Sequence, residues 1–136
     1  RFSPRIDQGE RMFRFWLNGG PTRDRLAAVT REAMSKNESP MALSFFPSGH
    51  GKAIRPLAVV SDPSVQLVVA KKAERGNALI LRLFETTGIR RTVTVTAPVA
   101  RLKKRIALQG FEIKTFRINP RLRTWTETDL MEQGLV

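Results

Sequence analysis

Val68-Val-Ala-Lys-Lys-Ala-Glu-Arg-Gly-Asn77, followed by Leu79-Ile-Leu-Arg-Leu-Phe-Glu-Thr-Thr-Gly88, decides the fold of this chain. Each half reads as a strand with a turn signal behind it. Val65 to Lys72 is the first strand, and Glu74-Arg-Gly-Asn77 turns the chain. Leu79 to Thr86 is the second strand, closed by Thr87-Gly88. Leu79, Leu81 and Leu83 recur every second residue, so they share one face, and that face belongs in a core. Glu85 falls in phase with them at the strand's end.

The same period continues outward. In Ile89 to Thr96, Val93 and Val95 point one way while Thr92, Thr94 and Thr96 point the other, as a half-buried antiparallel strand requires. Arg101 to Leu108 reads equally as strand or loop. Phe111 to Ile118 reads as the final strand, ended by Asn119-Pro120. Upstream, Leu57 to Ser61 is a short apolar strand closed by Ser61-Asp-Pro-Ser64, and Met41 to Phe46 is another. Glu10 to Leu17 also reads as a strand, with Phe13, Phe15 and Leu17 on one face and Met12, Arg14 and Trp16 on the other. Asn18-Gly-Gly-Pro21 breaks it. Pro21 to about Lys36 is the one convincing helix, with Thr22 as N-cap and a stripe of Leu26, Val29 and Ala33. About seven or eight short strands with one early helix predict a mainly β protein. The architecture expected is an antiparallel β-sandwich, with residues 1–136 forming a single domain.

Composition bounds the function. The chain has 136 residues, enough for one domain with a real core. It carries 24 Lys and Arg against 12 Asp and Glu, a formal charge of +12. Such a balance raises the prior for a polyanionic partner. The tightest clusters, Arg90-Arg91 and Arg101-Leu-Lys-Lys-Arg105, are short, and no RNP pattern or zinc-finger spacing accompanies them. Charge therefore reads first as a surface property, and nucleic acid is disfavoured. There is no cysteine, hence no disulfide framework and no thiolate metal site, which fits a reducing, cytoplasmic setting. Apolar runs such as Leu57-Ala-Val-Val60 are too short to span a bilayer, so no membrane partner is expected. A start at Arg1 without an initiator Met reads as a piece of a longer chain.

Chemistry finds few footholds. Glycoside hydrolysis needs two carboxylates flanking the bond. Glu74, Glu85 and Glu112 are the candidates, and each is expected instead to take a hydrogen bond or ion pair at a sheet edge or loop junction. Metal catalysis needs converging ligands, and the chain has one histidine, His50. Ser48 lacks the strand–turn–helix setting of a nucleophile elbow, and Gly49 and Gly51 make no phosphate loop. No catalytic residue and no metal ligand is assigned. Sugar binding by a non-catalytic module would need an aromatic platform. The candidates for a sugar or interdomain contact are Trp16, with Arg14 along its ring, and Trp125. The competing reading of Trp16 is contact with the helix or with a neighbouring domain. Lys71, Lys72, Glu74, Arg82, Glu85, Glu112 and Lys114 sit on strands or at their ends, where charged pairs fix register.

Three segments carry a family resemblance: Asp7-Gln-Gly-Glu10 with the Phe13-Arg-Phe15 strand, Val68 to Gly88, and Phe111-Glu-Ile-Lys-Thr-Phe-Arg-Ile118. Together they resemble the far C-terminal β-domain of the α-mannosidases of glycoside hydrolase family 38. The resemblance implies a parent enzyme that removes terminal α-linked mannose with retention. Its zinc or similar divalent metal and its Asp nucleophile would lie in an N-terminal α/β domain, so no cofactor is implied within this stretch. The partners implied are the remaining domains of the parent enzyme, and mannose-containing glycans if the domain itself touches substrate. Pro98 to Gly110 departs from the family pattern, being short and basic. An autonomous carbohydrate-binding module and a basic nucleic-acid-binding domain are the competing readings.

Overall fold

The computed structural model describes residues 9–38, 41–42, 50 and 55–134. Helix α1 spans Thr22–Asn37. Seven strands follow: β1 (Val59–Val60), β2 (Val65–Lys72), β3 (Leu79–Glu85), β4 (Arg91–Ala97), β5 (Leu102–Leu108), β6 (Ile113–Asn119) and β7 (Thr124–Thr128). They form a three-stranded sheet in the order β1-β4-β5 and a four-stranded sheet in the order β2-β3-β6-β7, antiparallel throughout. The mainly β, antiparallel sandwich expected from the strand spacing is what the chain adopts.

One core fills the gap between the sheets. The four-stranded sheet contributes Val65, Leu81, Leu83, Phe116 and Ile118. The other contributes Val93, Val95, Ala97, Ile106 and Leu108, and Ala100 joins from the turn between β4 and β5. The leucine alternation in β3 and the valine alternation in β4 therefore aim where their period says. Ile80, out of phase with that face, is also fully buried, because it packs with Ala73 and Ala78 on the outer side of β3. Leu81 is fully buried, and Leu81→Ala is expected to destabilise the chain by about 3 kcal/mol through the cavity it leaves. Urea denaturation measures this directly, and an unchanged midpoint would remove Leu81 from the core.

Arg82 and Lys114 link neighbouring strands, whereas Lys71 pairs with carboxylates outside the strands. Arg82 Nε donates to Thr115 Oγ1 across the β3–β6 pair at 3.0 Å. Lys71 Nζ pairs with Glu74 at 2.6 Å and with Glu132 at 2.9 Å. Lys114 Nζ, on β6, pairs with Glu127 on β7 at 3.2 Å and reaches Glu112 at 3.9 Å.

Several expectations are corrected. Glu10–Leu17 forms no strand, although its alternation is real, and Phe13, Phe15 and Leu17 are exposed. The strand expected over Met41–Phe46 falls largely outside the described residues. The ambiguous stretch from Arg101 is strand β5, paired along its length with β4. Phe111–Ile118 is not the last strand, since β7 follows and pairs with β6. Thr22 is not the N-cap of α1. Pro21 holds that place, with no side-chain cap, and its carbonyl accepts from Arg25 N at 3.0 Å. Pro suits a helix entrance because its fixed φ is preorganised and it has no N–H to satisfy. The helix buries none of its residues, so the Leu26/Val29/Ala33 stripe serves no core.

Candidate functional site

The most densely bonded cluster in the sandwich surrounds Glu85. β3 runs this side chain into the interior at the strand's end, in phase with the leucines, and the carboxylate is fully buried. A buried charge survives only where donors replace water. Here the chain folds two turns around it. Thr87 N donates to both oxygens at 3.0 and 3.1 Å, and the Thr87 hydroxyl donates to Oε1. Gly88 N donates to Oε2 at 2.7 Å, and Phe111 N reaches the same oxygen from the other turn at 3.1 Å. Arg91 Nε approaches Oε1 at 3.3 Å, while its Nη1 pairs with Asp62 at 3.2 Å. Burial pushes the Glu85 carboxyl up, but the Thr87 hydroxyl and the N–H groups of Phe111, Thr87 and Gly88 outweigh it and hold the group at about 2. Asp62 is also held below its ordinary range, chiefly by the Ser64 N–H.

Glycines make the cluster possible. Gly88 has φ +77°, and a Cβ there would meet the Phe111 ring at 2.7 Å. A Cβ on Gly110 would lie 2.2 Å from the Gly88 carbonyl oxygen. The two turns thus touch backbone to backbone, and Phe111 itself has φ 59°.

This arrangement is poor chemistry for hydrolysis. A general acid needs a carboxyl whose pKa is raised, and Glu85 is held far below neutral as a pure acceptor. Glu112 accepts from Gln109 N at 2.7 Å, capping its own turn, and Glu74 pairs with Lys71. Each takes the bond or ion pair at a loop junction that the sequence led one to expect. Among the described residues no three His, Cys, Asp or Glu side chains stand where they would hold a metal ion. His50 is exposed.

The aromatic candidates do not meet. Trp16 is half-exposed and borders a hollow of about 510 Å³ against α1, lined by residues that include Asn18, Arg25, Val29, Glu32 and Lys36. The cation over its ring is Lys36, whose Nζ lies 5.8 Å from the centroid; Arg14 is exposed. Glu32 accepts from Arg25 at 2.5 Å and from Asn18 at 3.1 Å, which ties the hollow's rim together. Trp125 lies on β7 and packs edge-on against Phe116, with ring centroids 6.1 Å apart, and its Nε1 is buried. It belongs to the rim of the core rather than to a platform. Sequence reasoning missed the Glu85 cluster as a unit. The signal was present as Glu-Thr-Thr-Gly88 and Gly110-Phe, two turn signatures whose meeting in space the sequence does not announce.

Comparison with known proteins adds one finding. Residues 64–116 match the family model for the glycosyl hydrolases family 38 C-terminal beta sandwich domain. No curated protein and no solved structure matches the chain. The matched span runs from Ser64 through β2 to β5 and into β6. It contains Glu85, Thr87, Gly88, Arg91, Gly110 and Phe111, so both turns of the buried cluster lie inside it. The part of the sandwich that holds the buried cluster is therefore similar to the glycosyl hydrolases family 38 C-terminal beta sandwich domain.

Proposed function

We propose that this chain is the non-catalytic C-terminal β-domain of a family 38 α-mannosidase, and that its role is structural, packing against the rest of that enzyme. The observation that carries this reading is the use made of the family-matching residues. Glu85, Thr87, Gly88, Gly110 and Phe111 are committed to joining two turns, and none presents a free reactive group to a cleft. Met12, Phe13, Phe15 and Leu17 are exposed and lie close together along the chain, an apolar stretch of the kind that marks a contact surface. The parent enzyme would act on terminal α-linked mannose, with its divalent metal held in another domain.

The chain alone is expected to turn over no chromogenic α-mannoside, with or without added zinc. Deleting residues 55–134 from the enzyme that carries them is expected to lower its melting temperature and soluble yield. Turnover by the chain alone, or a deletion that leaves the enzyme's stability intact, overturns the proposal.

A second reading, a carbohydrate-binding module, is favoured by Trp16 beside its polar-rimmed hollow. Titrating mannose oligosaccharides while following tryptophan fluorescence separates the two. A saturable change that Trp16→Ala abolishes selects the module, and a flat titration selects the structural role.

A further inference from the structure

The outer face of the three-stranded sheet carries charge of one sign only. Opposed residues on antiparallel strands share a face, so Thr92 with Ala107, Thr94 with Arg105 and Thr96 with Lys103 all point outward from the β4–β5 pair. Val59 of β1, opposite Thr96, adds an exposed apolar residue beside them. Lys103 and Arg105 are exposed, as are Arg90 and Arg101 at the strand ends. No Asp or Glu occurs in β1, β4 or β5. The carboxylates of the sandwich are occupied elsewhere: Asp62 and Glu85 by Arg91, Glu74 and Glu132 by Lys71, and Glu112 and Glu127 by Lys114. Asp129 accepts from Met131 N and Gln133 N.

Protection of the β5 edge does not account for these cations. An inward-pointing charge on an edge strand suffices to block pairing with another chain. Lys104 is that charge: it stands opposite inward Val95, lies over the Phe116 ring at 5.8 Å and donates to the Trp125 carbonyl at 3.1 Å. Lys103 and Arg105 are left over.

We propose that this face docks an acidic protein surface, with carboxylates meeting Lys103 and Arg105 and the threonine hydroxyls completing the hydrogen bonds. Arg105 offers the planar fork that pairs two-pronged with a carboxylate. None of the three strands carries an aromatic residue, so the face has no stacking platform of the kind single-stranded nucleic acid uses. The inference rests on the face's charge and geometry and does not depend on the mannosidase reading.

Poly-L-glutamate serves as the probe, with the intact chain titrated at low and moderate salt. Lys103→Glu with Arg105→Glu is expected to weaken binding about tenfold, while Arg121→Glu with Arg123→Glu, the same change in charge placed elsewhere, weakens it less than about twofold. Lys103→Gln with Arg105→Gln gives an intermediate loss, and unchanged far-UV circular dichroism confirms that the variants fold. Equal losses from the two charge-reversed pairs overturn the proposal, since binding would then follow net charge alone. Tighter binding of single-stranded DNA than of poly-L-glutamate, with the same dependence on Lys103 and Arg105, overturns it in favour of nucleic acid.

Discussion

Glu85→Gln is expected to lower the unfolding free energy at pH 7 by about 3–5 kcal/mol, although it exchanges a single heavy atom and leaves the core leucines untouched. The amide keeps one acceptor oxygen and turns an N–H₂ toward N–H groups that already point at the carboxylate. Gly88 and Phe111 share Oε2, so at least one buried donor loses its partner and another faces a donor. A buried donor left unmatched costs about 1–3 kcal/mol, and hydrogen bonds to a charge are worth roughly twice neutral ones.

The same residue governs the acid limb of stability. Its carboxyl is held at about 2 in the folded chain, against an ordinary 4.5. A depressed carboxyl stabilises the fold above its unfolded value, and that stability is lost as pH falls from about 4.5 through 2. A gap of that size corresponds to about 3 kcal/mol. Asp62 shifts in the same direction, so its contribution is likewise lost in acid. Urea unfolding between pH 7 and pH 2.5 should therefore show a steep acid loss in the unaltered chain and a shallower one in Glu85→Gln. Self-repulsion of so basic a chain grows in acid for both proteins, and it cancels in the difference. Parallel acid profiles would mean that Glu85 is not the group being protonated.

What the sequence made legible depended on whether a period had a partner. In β3 and β4 the alternation of leucines and valines coincides with burial, because each strand has a neighbour on both sides and a facing sheet. Glu10–Leu17 shows the same alternation and makes no strand, since period alone says nothing of what lies beside it. β5 was ambiguous because Lys103, Lys104 and Arg105 interrupt the apolar beat, Lys104 standing at an inward position on an uncovered edge. β7 is legible too: Thr-Trp-Thr-Glu-Thr is rich in β-branched and aromatic residues, Trp125 among them. Glu85 stands at a loop junction, as its place at the end of β3 implies. That the junction joins two distant turns depends on the β3–β6 register, which brings Phe84 opposite Ile113 and so places 85–88 beside 109–111.

That register also makes Gly110→Ala a severe substitution, expected to cost about 3–4 kcal/mol although the residue is exposed and makes no side-chain contact. The added methyl would lie 2.2 Å from the Gly88 carbonyl oxygen and 2.4 Å from its carbon. Neither atom can rotate aside, so relief requires moving one turn away from the other. Thr87 and Gly88 donate to Glu85 from one turn and Phe111 donates from the other, so separating the turns breaks the bonds that hold the buried charge. Gly88→Ala meets a different obstacle. Its φ of +77° disfavours alanine, but the clash is with the Phe111 ring, which is 60% exposed and free to swing outward. It should cost less, about 1–2 kcal/mol. The order Gly110→Ala above Gly88→Ala, measured by thermal melting, reverses what positive φ alone would give. The double variant Glu85→Gln with Gly110→Ala should cost distinctly less than the two single losses together, because each disrupts the same set of hydrogen bonds. Strict additivity would separate the glycine contact from the carboxylate cluster and leave the close approach of the two turns without the role assigned to it.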